Sequence, residues 1–175
     1  MQIKEDNQVN KGNITRVDRL KGGVYGLLIG DAVGVPYEFH EAVDIPAENL
    51  IDMVPPEGFH RAHGGVPCGT WSDDGAQALC LLDSLLEKGE FDLKDFADKL
   101  AEWWYHGYRA VDNKVFDIGV QTSQALMAYA SGRPAEECGM LNPNGKGNGA
   151  LMRVLPLALW HSGTDAELIL DSQRQ

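Results

Sequence analysis

The sequence predicts an all-α, multi-helix domain. Apolar residues recur at steps of three and four along several segments, and no segment shows the strict alternation of a half-buried strand. Hydrophobic residues make up 43% and charged residues 23% of the 175 residues, which is typical of one globular domain. Residues 1–13 are polar and mixed in charge, so they are predicted to form a flexible lead-in to a domain over residues 14–175.

The first predicted helix runs from about Thr15 to Ile29. Its apolar stripe consists of Val17, Leu20, Val24, Leu27 and Leu28. From Asp31 to Gly69, prolines and paired glycines predict a loop. A loop of this length is uncommon in a compact domain unless it is functional, so we expect a lid or a binding segment there.

Four further helical segments are predicted. The second helix is expected to begin after Ser72, a good N-cap residue, and to end at Gly89. The third, fourth and fifth are predicted at about Leu93–Tyr108, Asp117–Ala130 and Gly149–His161. Pro156 must kink or restart the fifth helix, because proline lacks an N–H and its ring clashes with the preceding turn.

The acidity of the chain bears on its partners. The formal net charge is −11 and the isoelectric point is about 4.7. An acidic surface repels phosphate backbones and anionic lipids, so we expect no nucleic acid and no membrane among the partners. The sequence shows no signal peptide and no membrane-spanning apolar run, and its three cysteines fit neither a disulfide framework nor a zinc site. A cytoplasmic location is expected.

The sharpest chemical signal is the run GTWSDDG at residues 69–75. One interpretation is structural: Ser72 caps a helix, and Asp73 and Asp74 favour the positive end of its dipole. The other interpretation is a site for a hard divalent cation, because hydroxyl and carboxylate oxygens are the ligands that Mg²⁺ and Mn²⁺ prefer. The motif alone leaves both interpretations open.

A second signal is the segment GLLIGDAVGVPYE at residues 26–38. Its carboxylates, Asp31 and Glu38, are either solvated beside a helix end or placed to hold a water or a sugar hydroxyl. A weaker signal is DIGVQT at residues 117–122, where Asp117 is either a helix N-cap or a site residue.

A third signal is the glycine-rich segment NGKGNGALMR at residues 144–153. Glycines ahead of a helix free backbone N–H groups to bind an anion, and Lys146 and Arg153 could help to neutralise phosphate. The alternative is a flexible connection between helices that Asn148 caps.

In chain order, these motifs resemble those of the ADP-ribosylglycohydrolase family, which includes the enzymes that reactivate ADP-ribosylated dinitrogenase reductase. The motifs are Gly-Asp-Ala-x-Gly-x-Pro-x-Glu, Gly-Thr-Trp-Ser-Asp-Asp, Asp-Ile-Gly-x-x-Thr and Gly-Asn-Gly-x-x-Met-Arg-x-x-Pro. The resemblance covers about Arg16 to His161, and ordered motifs are more specific together than any one alone. It implies an orthogonal bundle of α-helices with a central cleft.

The resemblance also implies a function. Family members bind a pair of Mg²⁺ or Mn²⁺ ions and cleave a glycosidic bond to ADP-ribose, so the expected partner is an ADP-ribosylated protein or another ADP-ribose derivative. The implied metal ligands are Ser72, Asp73 and Asp74. The implied catalytic residues are Glu38 and Asp31. The implied substrate-binding residues are Asp117, Gly119, Gly147, Asn148, Gly149 and Met152.

Two departures from the family pattern bear on activity. Ser72 and Gly75 stand where many members have threonine, and serine keeps the ligand oxygen. The family's second metal-binding motif, Asp-x-Asp-Thr/Ser, does not occur in the 175 residues. We therefore expect a C-terminally truncated hydrolase with impaired activity; the alternative is a non-catalytic ADP-ribose-binding or partner-binding helical remnant. Uncovered apolar helix faces predict self-association.

Overall fold

The computed structural model describes residues 13–139 and 144–175, and this part of the chain is helical. Its regular structure consists of seven α-helices and four short 3₁₀ turns, with no strand among the described residues. The prediction of an all-α fold is therefore confirmed. Within the same ranges, no helix is both long and apolar enough to cross a lipid bilayer.

Helix α1 (Arg16–Gly34) begins at a capping box and continues past its predicted end. The Thr15 hydroxyl accepts from the backbone N–H of Asp18, and the Asp18 carboxylate accepts from the backbone N–H of Thr15 at 2.9 Å. The prediction of a loop from Asp31 onward was wrong at its start, because Asp31 lies within α1. Its carboxylate is bonded to the start of the next long helix, and these distant contacts hold the last turns of α1 in place.

The segment after α1 contains two 3₁₀ turns, Val35–Tyr37 and Glu48–Leu50, and side chains bonded to the backbone organise the rest. The Tyr37 hydroxyl donates to the carbonyl of Asp52 at 2.9 Å. The Arg61 guanidinium donates to the carbonyls of Gly64 and Val66 at 2.7 and 2.6 Å. The segment is therefore folded on itself, and its role as a lid or binding segment stays a prediction.

Helices α2 (Asp73–Lys88) and α3 (Leu93–His106) agree well with the sequence prediction. Ser72 caps α2 by accepting from the backbone N–H of Asp74, and Gly89 ends the helix in the left-handed region with φ 74°. Helix α3 ends in the same way at Gly107, with φ 71°. Glycine tolerates the backbone angles that both ends require. The predicted end of α2 is confirmed, whereas α3 ends at His106, before the predicted Tyr108.

Helix α4 (Val120–Ala130) begins later than predicted, with Gly119 at its N-cap position. The carboxylate of Asp117 accepts from the N–H of the next residue, Ile118, so Asp117 lies ahead of the helix and does not cap it. The predicted fifth helix is two helices, α5 (Gly149–Arg153) and α6 (Leu155–Trp160). Pro156 lies in the first turn of α6 and restarts the helix.

Helix α7 (Asp165–Arg174) was not predicted. Thr164 and Glu167 form a capping box at its start, in which the Glu167 carboxylate accepts from the backbone N–H of Thr164 at 2.7 Å. Thr-x-x-Glu ahead of a partly apolar segment is a local signal for a helix start. The sequence therefore contained the information that predicts this helix.

The core lies where α2 packs against α3, α5 and α6. Its most deeply buried apolar side chains are Trp103, Phe96, Leu81, Leu85, Leu157 and Cys80. Burying one large apolar side chain contributes about 1.5–3 kcal/mol relative to leaving it in water. The core therefore fixes α2 along its whole length, and α2 carries the Ser-Asp-Asp motif at its N-terminus.

Candidate active site

Asp31 joins the end of α1 to the start of α2. One carboxylate oxygen, Oδ2, accepts from the backbone N–H groups of Ser72 and Gly75 at 2.9 and 2.7 Å. The other, Oδ1, accepts from the Ser72 hydroxyl at 2.8 Å. Burial raises the pKa of Asp31 and these three hydrogen bonds oppose that rise. Asp31 therefore fixes the position of Ser72 and satisfies backbone donors at the N-terminus of α2 that have no partner within the helix.

Gly75 leaves room for the Asp31 carboxylate. A Cβ atom built at position 75 would lie 2.9 Å from Asp31 Oδ2, from a methyl of Leu28 and from the Trp71 ring. A side chain at this position would therefore force apart α1 and the start of α2.

Replacing Gly75 with alanine should destabilise the chain. Overpacking typically lowers the free energy of unfolding by about 1–3 kcal/mol, although alanine alone favours a helix over glycine by about 1 kcal/mol. Gly26→Ala is the matched control, because a Cβ at Gly26 in α1 meets no atom within 4 Å. Urea unfolding should show a lower free energy of unfolding for Gly75→Ala and a higher one for Gly26→Ala. A gain in both would contradict the close packing of α1 on α2.

Asp73 and Asp74 lie in an acidic environment at the first turn of α2. Burial raises the pKa of Asp73 to about 6, and repulsion from Asp117, Asp74 and Asp31 adds to the rise. Burial also raises the pKa of Asp74 to about 6, with repulsion from Asp31, Glu38 and Asp117. Several carboxylates therefore share one region that disfavours their negative charge when no cation is bound.

Glu38 lies on the other side of this region, next to His63. Nε2 of His63 lies 2.8 Å from Oε2 of Glu38. One ligand atom from each of Glu38, His63 and Asp117 lies within 4.8 Å of the others, a grouping that could hold a metal ion. Burial raises the pKa of Glu38, the bond to His63 opposes this, and Asp117 and Asp31 add to the rise.

A cleft of about 620 Å³ adjoins Asp73. Its described walls are the start of α4 and the glycine-rich segment before α5, and the candidate site residues among them are Asp73, Gly119, Gly147, Asn148, Gly149 and Met152. The two walls approach closely, since a Cβ at Gly149 would lie 3.1 Å from Oγ1 of Thr122. The cleft is large enough for a drug-sized or nucleotide-sized ligand.

Arg153 connects the cleft to the interior of the bundle. Its Nη1 donates to Oε1 of Gln77 at 3.0 Å, and its Nε donates to Oε1 of Gln175 at 2.9 Å. The guanidinium carbon lies 5.5 Å from the centre of the Phe96 ring. Burial lowers the pKa of Arg153 to about 10, and the charge of Asp73 opposes this. The guanidinium of Arg153 thus contacts other side chains of the bundle, whereas Lys146 is exposed to solvent.

The structure brings together the carboxylates that the motifs singled out. Asp31 and Ser72 are in direct contact. Asp117 acts as a neighbouring negative charge on Glu38, Asp73 and Asp74, and the pKa of each of these three carboxyls is raised. The cleft lined by the glycine-rich segment opens beside Asp73. Three residues to which the sequence analysis gave no role also contribute, namely His63, Gln77 and Thr122.

No histidine was assigned a role from the sequence. His63 reaches Glu38 across a separation of 25 residues, and no periodicity or metal-ligand spacing indicates that contact. Gln77 lies fully buried in α2, one turn after Asp73, where helical spacing puts both side chains on one face. That spacing was visible in the sequence, but the approach of Arg153 to Gln77 was not.

The side chains present fit a hard divalent cation. The hydroxyl of Ser72 and the carboxylates of Glu38, Asp73 and Asp74 are oxygen donors of the kind that Mg²⁺ and Mn²⁺ take. Burial, and after it repulsion from neighbouring carboxylates, raises the pKa of Asp73 and of Asp74 to about 6, so their negative charge is disfavoured there. A cation would neutralise that charge.

Several known proteins that are similar to this chain are named as hydrolases of ADP-ribose derivatives. Residues 12–175 match the family model described as ADP-ribosylglycohydrolase. The chain is 37% identical over 144 residues to the ADP-ribosylarginine hydrolase Tri1 of Pseudomonas putida (strain GB-1), covering 82% of this chain and 36% of that protein. It is 30% identical over 155 residues to the ADP-ribosylhydrolase ARH3 of Homo sapiens, covering 86% of this chain and 42% of ARH3.

A solved structure shares the fold as well. The chain superposes on an ADP-ribosylglycohydrolase-related protein complex with a TM-score of 0.65 and 32% sequence identity. The superposition covers 91% of this chain and 48% of that one. The chain therefore spans less than half the length of these relatives.

Proposed function

Because the chain belongs to the ADP-ribosylglycohydrolase family, we propose that it takes part in metal-assisted removal of ADP-ribose from a modified arginine. The observation that carries this proposal is the acidic group of Asp73, Asp74 and Glu38 beside the glycine-lined cleft. The relatives named as ADP-ribosylarginine hydrolases support arginine as the modified residue.

We assign the metal-binding role to Ser72, Asp73, Asp74 and Glu38, with Mg²⁺ or Mn²⁺ as the ion. The ion, when bound, supplies Lewis-acid stabilisation of negative charge at the reacting groups. Asp31 acts as a positioning residue and not as a catalytic one in this proposal, because both of its oxygens already accept hydrogen bonds from Ser72 and Gly75. It holds the Ser72 hydroxyl where a ligand oxygen is needed.

Glu38 is also suited to orient the attacking water. Its carboxyl is partly buried and has a raised pKa, and a carboxylate oxygen accepts hydrogen bonds from water. Cleavage of the ribosyl bond develops positive charge on the sugar ring, and the surrounding carboxylates stabilise that charge. Glu38 would accept a hydrogen bond from the attacking water and so orient it in this scheme.

The cleft would bind the ADP-ribose. Backbone N–H groups around Gly147, Asn148 and Gly149 suit the diphosphate, because glycine lets an anion approach the backbone closely. Gly119 and Met152 line this cleft, and Asp117 is a charged neighbour of Asp73, which also lines it. In this proposal Asp117 and Gly119 hold the ribose, and Met152 supplies an apolar wall. Binding remote from the reacting carbon orients that carbon for attack.

The test is a single-turnover assay with the chain in excess over an ADP-ribosyl-arginine peptide, together with calorimetry of ADP-ribose binding. We expect both binding and release of ADP-ribose to require Mn²⁺ or Mg²⁺, and release from a serine-linked peptide to be slower. Glu38→Gln should lower the release rate by about 100-fold or more and, because Glu38 is one of the proposed metal ligands, should also weaken the metal-dependent binding of ADP-ribose.

Asp44→Asn is the control, since Asp44 is exposed and lies outside the acidic group. It should leave binding and release unchanged. If ADP-ribose neither binds nor is released with metal present, the proposed function is wrong.

A further inference from the structure

His63 is held in place from several sides. Its ring lies edge-on to Phe116, with centroids 5.1 Å apart, and 5.5 Å from the ring of Phe39. Its Nε2 lies 2.8 Å from Oε2 of Glu38. The ring is thus packed between aromatic side chains, with one nitrogen directed at the carboxylate of Glu38.

The backbone at His63 is in an unfavourable conformation. Its φ is 48°, in the left-handed region, although glycine stands at the next position. Residues other than glycine seldom adopt this conformation unless the surrounding structure holds them in it. Two backbone bonds hold this turn, from Ala62 N–H to the Pro36 carbonyl at 2.9 Å and from Val66 N–H to the His63 carbonyl at 2.8 Å. The fold therefore maintains a strained turn that places the His63 ring against Glu38.

Glu38 needs such a partner because its other charged neighbours repel it. The negative charges of Asp117 and Asp31 repel the Glu38 carboxylate, and the Glu38 carboxylate in turn repels that of Asp74. A donor fixed on one oxygen holds the carboxylate in one orientation and leaves the second oxygen for a cation.

We propose that His63 is a positioning residue that orients Glu38 for divalent-cation binding by donating an Nε2 hydrogen bond to Oε2. This inference rests on the proposed function, since it assigns a partner to one of the proposed ligands. Direct coordination by the imidazole is the competing role. The geometry favours positioning, because the nitrogen nearest the acids is already bonded to Glu38 and the remaining donors are oxygens that select hard ions.

The experiment is a titration with Mn²⁺, followed by electron paramagnetic resonance of the free ion, on the whole chain and its variants. His63→Phe keeps the aromatic packing and removes the donor. His63→Gln restores an N–H donor without an imidazole ring. We expect His63→Phe to weaken Mn²⁺ binding by about 10- to 100-fold, the usual effect of removing a hydrogen-bond partner of a metal ligand. His63→Gln should recover most of that loss.

The control is His106→Gln, at the exposed end of α3, which should bind Mn²⁺ as the unmodified chain does. Unchanged affinity in His63→Phe, or a glutamine variant as weak as the phenylalanine variant, would overturn the positioning role. If the unmodified chain itself binds no Mn²⁺, both the proposed metal site and the positioning role of His63 are wrong. If His63→Phe fails to fold, recovery of Mn²⁺ binding in His63→Gln still decides between positioning and coordination.

Discussion

Replacing Asp73 and Asp74 together with asparagine should stabilise the metal-free chain at about pH 7.5 and abolish its binding of Mn²⁺. The pKa of each carboxyl is raised to about 6, chiefly by burial. In the unfolded chain, the pKa of each carboxyl would be about 3.9. The folded chain therefore binds protons more tightly than the unfolded chain, and its metal-free stability should fall as the pH rises from about 4 through about 6.

The size of the effect follows from the size of the shift. One pKa unit corresponds to about 1.4 kcal/mol, but partial exposure of Asp74 and the coupling between the two acids reduce the sum. We expect the double variant to gain about 1–3 kcal/mol at neutral pH and to lose most of the pH dependence. Urea unfolding of the metal-free protein at several pH values measures both.

The same variant tests the metal site. A ligand that binds only the folded state raises the melting temperature, so Mn²⁺ should raise it in the unmodified chain and not in the double variant. Asp44→Asn, an exposed acid far from the motif in sequence, should keep both the Mn²⁺ response and the pH dependence. A double variant that is less stable without metal would show that the aspartates mainly cap α2, which is the structural interpretation of the motif.

Local signals explain which parts of the fold could be predicted. Ser72 and Gly89 define α2 because capping and the left-handed backbone depend on one residue each. The end of α1 could not be predicted in this way. Asp31 is helical because its carboxylate bonds to Ser72 and Gly75 more than forty residues along the chain, and no local pattern encodes that contact.

Some residues of the candidate site could likewise be predicted from the sequence, and others could not. The carboxylates could be identified because oxygen ligands for a hard cation are recognisable as residue types in a motif. His63 could not, since its importance depends on how the loop after α1 folds back onto Glu38. The role of Arg153 could not be predicted either. A basic residue after a glycine-rich loop suggests a phosphate ligand, and only the structure shows that Arg153 donates to Gln77.

Arg153→Met should strongly destabilise the chain while leaving Lys146 available to any bound phosphate. Methionine preserves the packing on Phe96 but removes both hydrogen-bond donors. Oε1 of the fully buried Gln77 would then lose its donor, and Asp73 would lose a nearby positive charge. Removing one partner of such a buried polar network typically lowers the free energy of unfolding by about 1–3 kcal/mol.

Arg174→Met is the matched control for this substitution. Arg174 also lies over a phenylalanine ring, with its guanidinium carbon 5.6 Å from the centre of Phe91, but its ion pair with Asp171 is exposed to solvent. Exposed pairs contribute about 0–1 kcal/mol, so this variant should unfold nearly as the unmodified chain does. Urea unfolding and calorimetry of ADP-ribose binding would be measured on both variants. If Arg153→Met kept full stability and lost only ADP-ribose affinity, Arg153 would be a phosphate ligand and not a structural link between α2 and α5.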